Sequence, residues 1–205
     1  MDTGALVGQH IALEPLGPEH VDALAAAAAI DRSAYDWTTV PDGTDQARAY
    51  VEEALAARHR GVALPYAVRR SSDGAIVGST RFLGIEHWEH PTGPPDAVEI
   101  GSTWYSADAQ GTMVNPEAKL LLLTRAFEDW RVRRVQLKTD ARNGRSRAAI
   151  EKLGARFEGV LRNFQAGQGP AGAVDGPRDT AMFSILPAEW PEVRGRLLTR
   201  IPRGD

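Results

Sequence analysis

The sequence predicts a single α/β (α+β) domain spanning residues 1–205, and three observations predict it. Strand-like and helical stretches follow one another in a mixed order: strand, two helices, three strands, helix, strand, helix, two strands, helix. Ser72-Asp73-Gly74 is a hairpin signal between two of those strands. A chain of 205 residues also has ample material for one sizeable core.

Residues 6–13 alternate loosely as a first strand, which Pro15 and Pro18 end. Residues 19–30 are alanine-rich and helical, and 31–42 are a break containing Tyr35, Trp37 and Pro41. Thr44 caps a second helix over 45–59, and Gly61 stops it. The hairpin strands are 63–70 and 75–85, followed by a loop over 86–96 with Pro91, Pro94 and Pro95. Residues 98–105 form the next strand. Alternation puts Glu99, Gly101, Thr103 and Tyr105 on one face, and Val98, Ile100, Ser102 and Trp104 on the other.

A short polar turn containing Gly111 then leads into a helix. Asn115 reads as its N-cap, Pro116 suits the first helical position and Glu117 the first turn. The apolar block 120–123 makes this helix core, with Arg125, Glu128, Asp129 and Arg131 on its wet side. A strand follows over 132–139. Asn143 caps a short helix closed by Gly154, and 157–164 is again a strand. Residues 165–177, rich in Gly and Pro, read as a loop; 178–186 are the last strand and 188–199 a closing helix.

Composition removes several classes of function. The absence of cysteine excludes disulfides, thiolate metal sites and a cysteine nucleophile, and makes a cytoplasmic location the expectation. A net charge of −3 argues against nucleic acid as the main partner. No apolar run is long enough to span a membrane, and residues 1–4 lack the regions of a signal peptide. Glu86-His87-Trp88-Glu89-His90 has metal-ligand composition, but its spacing matches no zinc signature, so no metal is expected. His20 and His59 sit in helices and need no function.

The strand–turn–helix join after residue 105 gathers backbone N–H groups at the positive end of a helix dipole, which suits a phosphate. The same glycine and cap also serve purely structural joins. A nucleotide-phosphate loop is excluded, because no Gly-Lys-Ser/Thr ending is present. Arg142, Arg145 and Arg147 crowd the start of another helix, where positive charge opposes the dipole. Either an anion neutralises them, or they reach water or Glu151.

Taken with these features, the chain resembles the GNAT superfamily of acetyl-CoA-dependent N-acetyltransferases, and within it the group related to the RimJ/RimL ribosomal-protein N-terminal acetyltransferases. The resemblance is carried by Glu99-Ile100-Gly101, Gln110-Gly111-Thr112, residues 115–123, Lys138-Thr139-Asp140, residues 143–159, and residues 179–186 followed by Glu189-Trp190-Pro191. It runs over residues 6–198 and is specific from residue 98 onward. It implies a mixed, mostly antiparallel central sheet of about seven strands flanked by helices, with acetyl-CoA as cosubstrate.

It also implies roles for particular residues. The backbone of Gln110, Gly111, Thr112, Met113, Val114 and Asn115 would hold the pyrophosphate of coenzyme A. Asn143 would contact the pantetheine, and Ser146 would give a proton to the leaving thiolate. The 3′-phosphate is the anion that would answer Arg142, Arg145 and Arg147. Met113 departs from the pattern, which carries a second glycine there; its side chain is expected to crowd the pyrophosphate or resist a positive φ.

Acyl transfer to an amine also needs a proton acceptor. Glu99, in the strand leading to the turn, is the choice, directly or through a water; Glu158 and Asp140 are the alternatives, and an exposed strand carboxylate is the bland reading. By fold analogy the acceptor enters between Tyr35-Asp36-Trp37, the Trp88 loop and the loop after Phe164. Asp36, Glu86 and Glu89 suit an ammonium there as well as they suit water. The expected activity is direct transfer to the primary amine of a protein N-terminus or a small molecule. Its alternative is a non-catalytic acyl-CoA-binding or regulatory domain. A homodimer through the last strand and closing helix is compatible with the sequence.

Overall fold

The computed structural model describes residues 4–88, 92–173 and 176–202. Its strands are β1 (Leu6–Val7), β2 (Ile11–Pro15), β3 (Ala63–Arg70), β4 (Ile76–Glu86), β5 (Ala97–Tyr105), β6 (Arg134–Asp140), β7 (Arg156–Ala166) and β8 (Pro177–Ile185). The helices are α1 (Val21–Ala29), α2 (Gly43–His59), α3 (Val114–Thr124), α4 (Gly144–Leu153), α5 (Gly169–Ala173) and α6 (Trp190–Leu198). The strands form one sheet in the order β1-β2-β3-β4-β5-β6-β8-β7, antiparallel at every join except β5–β6.

Helices cover both faces, as a sheet with two apolar sides requires. On one face Val98, Ile100, Val135, Leu137, Phe183 and Ile185 share a core with Leu122 and Leu123 of α3, Ile150 of α4 and Leu197 of α6. On the other, Ala67, Ile76 and Trp104 pack with Leu24 and Ala28 of α1 and Val51 of α2.

Eight strands stand where seven were expected, because the first folds back on itself after Val7. Gly8 N–H donates to Ile11 C=O at 2.9 Å, so β1 turns and pairs antiparallel with β2. The turn is held by Glu117 of α3, whose carboxylate accepts from Gln9 N–H at 2.5 Å and His10 N–H at 3.0 Å. A Cβ at position 8 would lie 2.4 Å from a Glu117 oxygen, so any larger residue would push this carboxylate aside. Glu117→Ala is expected to destabilise the protein by about 2 kcal/mol by stranding these donors, as a urea midpoint shift would show; an unchanged midpoint would disprove the tie.

Two further expectations change. The segment expected as a loop over 165–177 contains the short α5, which docks where Ala171 N–H donates to Asp36 C=O at 2.8 Å. β8 lies inside the sheet, so it offers no free edge for a partner. The sheet instead ends on β7, where Phe157, Val160, Leu161 and Phe164 are 43–44% exposed. Among the described residues, no helix is long and apolar enough to cross a membrane.

Candidate active site

The site is built where β5 and β6 stop pairing. Their parallel ladder runs only over Ala97–Arg134, Val98–Val135 and Glu99–Gln136, while β6 continues beside β8 to Asp140–Thr180. Beyond Glu99 the two strands therefore diverge.

A cavity of about 840 Å³ occupies the gap. One part is lined by Ile150, Leu153 and Leu197, from the helices on the α3 face. Another is lined by Trp37, Gln165, Gln168 and Arg178. Glu99, Lys138 and Arg178 lie on the sheet face opposite α3, as the pairings Glu99–Gln136, Gln136–Ser184 and Lys138–Met182 require of a pleated sheet. One cavity thus passes through the sheet.

β5 itself is bent at this point. Its partner register steps from Ser79–Trp104 to Arg81–Gly101, a bulge centred on Ser102, whose φ is +46°. The extra residue reverses the alternation, so Trp104 joins the α1/α2 core rather than the face of Val98 and Ile100. Thr103 consequently turns toward α3, where its hydroxyl meets Lys119.

At the α3 end, the turn differs in detail from expectation. The helix starts at Val114, with Thr112 Oγ1 accepting the Val114 N–H at 3.2 Å, so Asn115 lies inside the first turn and is not its cap. The residue before the helix is Met113, and no side chain caps it. Met113 has φ −69° and ψ −11°, ordinary helical values, so no positive φ is asked of it. The left-handed position is Gly111, at φ +75°, where a Cβ would meet nothing within 4 Å. The N–H groups of Gly111, Thr112 and Met113 donate to no acceptor among the described residues. Gln110, Gly111 and Asn115 line the cavity. The Val114 side chain belongs to the core, and Thr112 Oγ1 also donates to Ala109 C=O at 2.7 Å.

At the start of α4, Asn143 Oδ1 accepts the Ser146 N–H at 3.0 Å, and Gly154 closes the helix at φ +106°. Asn143 and Ser146 both line the cavity. The three arginines do not converge. Arg142 pairs with Asp140 at 2.9 Å and stacks over Trp37 at 4.7 Å. Arg145 lines the cavity and donates to Ala34 C=O at 2.8 Å. Arg147 turns to Ala141 C=O and the ring of Phe157, away from the cavity lining.

Glu99 is buried, lines the cavity and pairs with Lys138 Nζ at 2.9 Å. The two other carboxylates considered lie apart from it. Asp140 is engaged by Arg142, which holds its carboxyl below the usual range, and Glu158 sits with Arg134 and Ser184, its carboxyl drawn down to about 2 chiefly by Arg134. Neither lines the cavity.

Tyr35 and Trp37 line the cavity; Tyr35 is buried, its hydroxyl donating to Tyr105 C=O at 2.9 Å. Trp88 does not line it, and is 54% exposed with its indole N–H on Glu86. Glu89 and His90 lie outside the described residues. Among the described residues, no group of three His, Cys, Asp or Glu side chains is placed to hold a metal ion.

Sequence reasoning missed two cavity residues. Lys119 is buried in α3, its Nζ donating, among the described residues, only to Thr103 Oγ1 at 3.0 Å, and burial pushes its pKa down to about 7. Arg178 is 4% exposed at the start of β8. Lys119 stands one helical turn after Asn115, a spacing that puts both on one face and could have flagged it; Arg178 carried no comparable signal.

A cavity crossing a sheet, with free N–H donors at one end and paired charges on the other face, fits a two-substrate transferase. The model of the acetyltransferase (GNAT) domain matches residues 10–156, and the chain belongs to that family. A GCN5-related N-acetyltransferase from Brucella melitensis superposes with a TM-score of 0.82 at 26% identity, over 97% of this chain and 86% of that one. Mycobacterium smegmatis RimJ, solved in complex with CoA-disulfide, gives 0.73 at 20% identity, over 92% and 88%. RimL, a ribosomal L7/L12 alpha-N-protein acetyltransferase, gives 0.70 at 21%, over 89% and 93%. The last two are likenesses of fold. No curated protein matches the chain.

Proposed function

We propose that the protein is an N-acetyltransferase that moves an acetyl group from acetyl-CoA directly to a primary amine. The observation that carries this reading is the single cavity joining the α3 turn on one side of the sheet to Glu99 and Lys138 on the other. Coenzyme A fits the first side: the free N–H groups of Gly111, Thr112 and Met113 at a helix start suit its pyrophosphate, and glycine at position 111 leaves room for close approach. The unpaired edge of β5 beyond Glu99 offers backbone partners to an amide-bearing arm.

Bound acetyl-CoA supplies a thioester whose leaving thiol has a pKa of about 8.5. Glu99 accepts the proton of the incoming amine, directly or through a water, while the new C–N bond forms and the C–S bond breaks. The Ser146 hydroxyl donates a proton to the departing thiolate from the start of α4. With no cysteine in the chain, no thiol is available for an acyl-enzyme.

Calorimetric titration with acetyl-CoA and with dephospho-coenzyme A tests the donor site. Micromolar binding of acetyl-CoA is expected, weakened without the 3′-phosphate, for which cavity-lining Arg145 is the candidate partner. Undetectable acetyl-CoA binding would withdraw the enzyme assignment and leave a domain that keeps only the fold. Ser146→Ala should lower kcat about tenfold with little change in acetyl-CoA affinity. The cap survives, since Asn143 bonds the backbone of residue 146 and not its hydroxyl. An unchanged kcat would remove Ser146 from the reaction.

A further inference from the structure

Arg178 has no place in the chemistry above, yet it is the most deeply buried arginine lining the cavity. Its hydrogen bonds go to neutral groups: Nε to Thr180 Oγ1 at 3.1 Å and Nη1 to Gln168 Oε1 at 3.5 Å. No carboxylate among the described residues lies within ion-pair distance of it. The two carboxylates that act on it through space, Asp140 and Glu99, are already engaged by Arg142 and Lys138, each at 2.9 Å. Burial without a counter-ion disfavours its charged form, and its pKa is lowered accordingly. Buried Arg81 offers a contrast. It too lacks a carboxylate among the described residues, but it stacks 4.8 Å above the ring of Tyr50 and does not line the cavity. Arg178 has no ring beneath it among the described residues.

Its position says which substrate would meet it. Asp140 pairs with Thr180 across β6 and β8, and residue 178 is two positions further along β8, so Arg178 shares the sheet face of Glu99 and Lys138. The donor turn at residues 110–115 leads into α3, which packs on the opposite face. Arg178 therefore stands on the acceptor side, away from where the phosphates of coenzyme A would bind. A guanidinium held in place by Thr180 and Gln168, with N–H groups left over and a cavity before it, is a ready partner for a planar oxyanion.

We propose that Arg178 is the anion anchor of the acceptor site, and that the acceptor is an amine which also carries a carboxylate. The inference rests on the acetyltransferase reading and narrows its substrate class. The carboxylate can belong to a free amino acid or to an acidic residue beside a peptide N-terminus, and the test separates the two. The bland role, holding the α5 segment through Gln168, needs only a neutral donor and would not depend on the charge of an added ligand.

The experiment is calorimetric binding of matched pairs to the protein saturated with coenzyme A. One pair is phenylalanine and phenylalaninamide; the other is the tripeptide amides Ala-Asp-Ala and Ala-Asn-Ala. The acid of at least one pair is expected to bind tenfold or more tighter than its neutral partner. Arg178→Gln should abolish that preference while leaving acetyl-CoA binding unchanged, and Arg178→Lys should restore part of it. The comparison within wild-type protein does not depend on a variant folding. Equal binding within both pairs, or no binding by any of the four, overturns the proposal. Failure of acetyl-CoA itself to bind the wild type would instead overturn the acetyltransferase reading beneath it.

Discussion

Glu99→Gln is expected to lower kcat/KM by about 10²–10³-fold, the range of a lost general base. The substitution keeps the size of a buried side chain and an oxygen for Lys138, but removes the basic carboxylate that would take the amine proton. Glu99 is also the last residue of β5 to pair with β6, so it stands at the apex of the divergence, where an amine and a thioester from opposite faces would meet. A structural role alone could slow the enzyme through Lys138, which would lose its charged partner. The pH profile separates the two. Loss of a base removes the acidic limb of the kcat/KM profile, whereas a packing defect lowers the curve without reshaping it. Glu99→Asp, which keeps the carboxylate at a longer reach, should recover part of the rate. A Glu99→Gln profile that retains the wild-type acidic limb would take Glu99 out of the proton transfer.

What the sequence made legible is what local chemistry determines. The Asn143 cap and the Gly154 stop of α4 both appear where read, one as a side-chain bond to Ser146 N–H and the other as a left-handed residue. The hairpin at Ser72-Asp73-Gly74 closes with Arg70 N–H on Ala75 C=O at 2.8 Å, and Gly74 takes φ +71°. The family motifs implied the remainder of the fold. Features set by tertiary contacts were not legible. Nothing in Ile100-Gly101-Ser102-Thr103 announces a bulge; the extra residue is defined only against β4, and it turned Trp104 to the face opposite the one expected. The arginines before and within α4 looked like a cluster because they are close in sequence. Their actual partners, Asp140, Ala34 C=O and Ala141 C=O, draw them apart. Nothing in the sequence marked Lys119 or Arg178, since long cationic side chains are seldom fully buried. Only the packed structure shows that both are.

The burial of Lys119 has a thermodynamic signature. Lys119→Met is expected to stabilise the protein by about 1–4 kcal/mol near neutral pH, the gain seen when a buried charge gives way to an apolar side chain of similar volume. In the unfolded chain the lysine titrates near its ordinary value of 10.5, and in the folded protein burial brings it down to about 7. Between those values the unfolded state holds a proton that the folded state has released. Stability therefore rises with pH across this window, and the penalty is fully present below pH 7 and gone above 10.5. The slope approaches about 1.4 kcal/mol per pH unit at most. Urea unfolding of wild type and Lys119→Met at pH 6.5 and 9.5 checks this: the advantage of the variant should be largest at pH 6.5 and shrink at pH 9.5. An equal advantage at both would mean that the lysine is charged in the folded state throughout, with water or an anion in the cavity meeting its charge. Thr103 Oγ1 is its sole hydrogen-bond partner among the described residues, so Lys119→Met also frees that hydroxyl to keep its bond with Thr80 Oγ1, 2.7 Å away. The substitution thus leaves no stranded polar group to offset the gain, and a variant less stable than wild type at pH 6.5 would mean that the lysine is not carried at a cost.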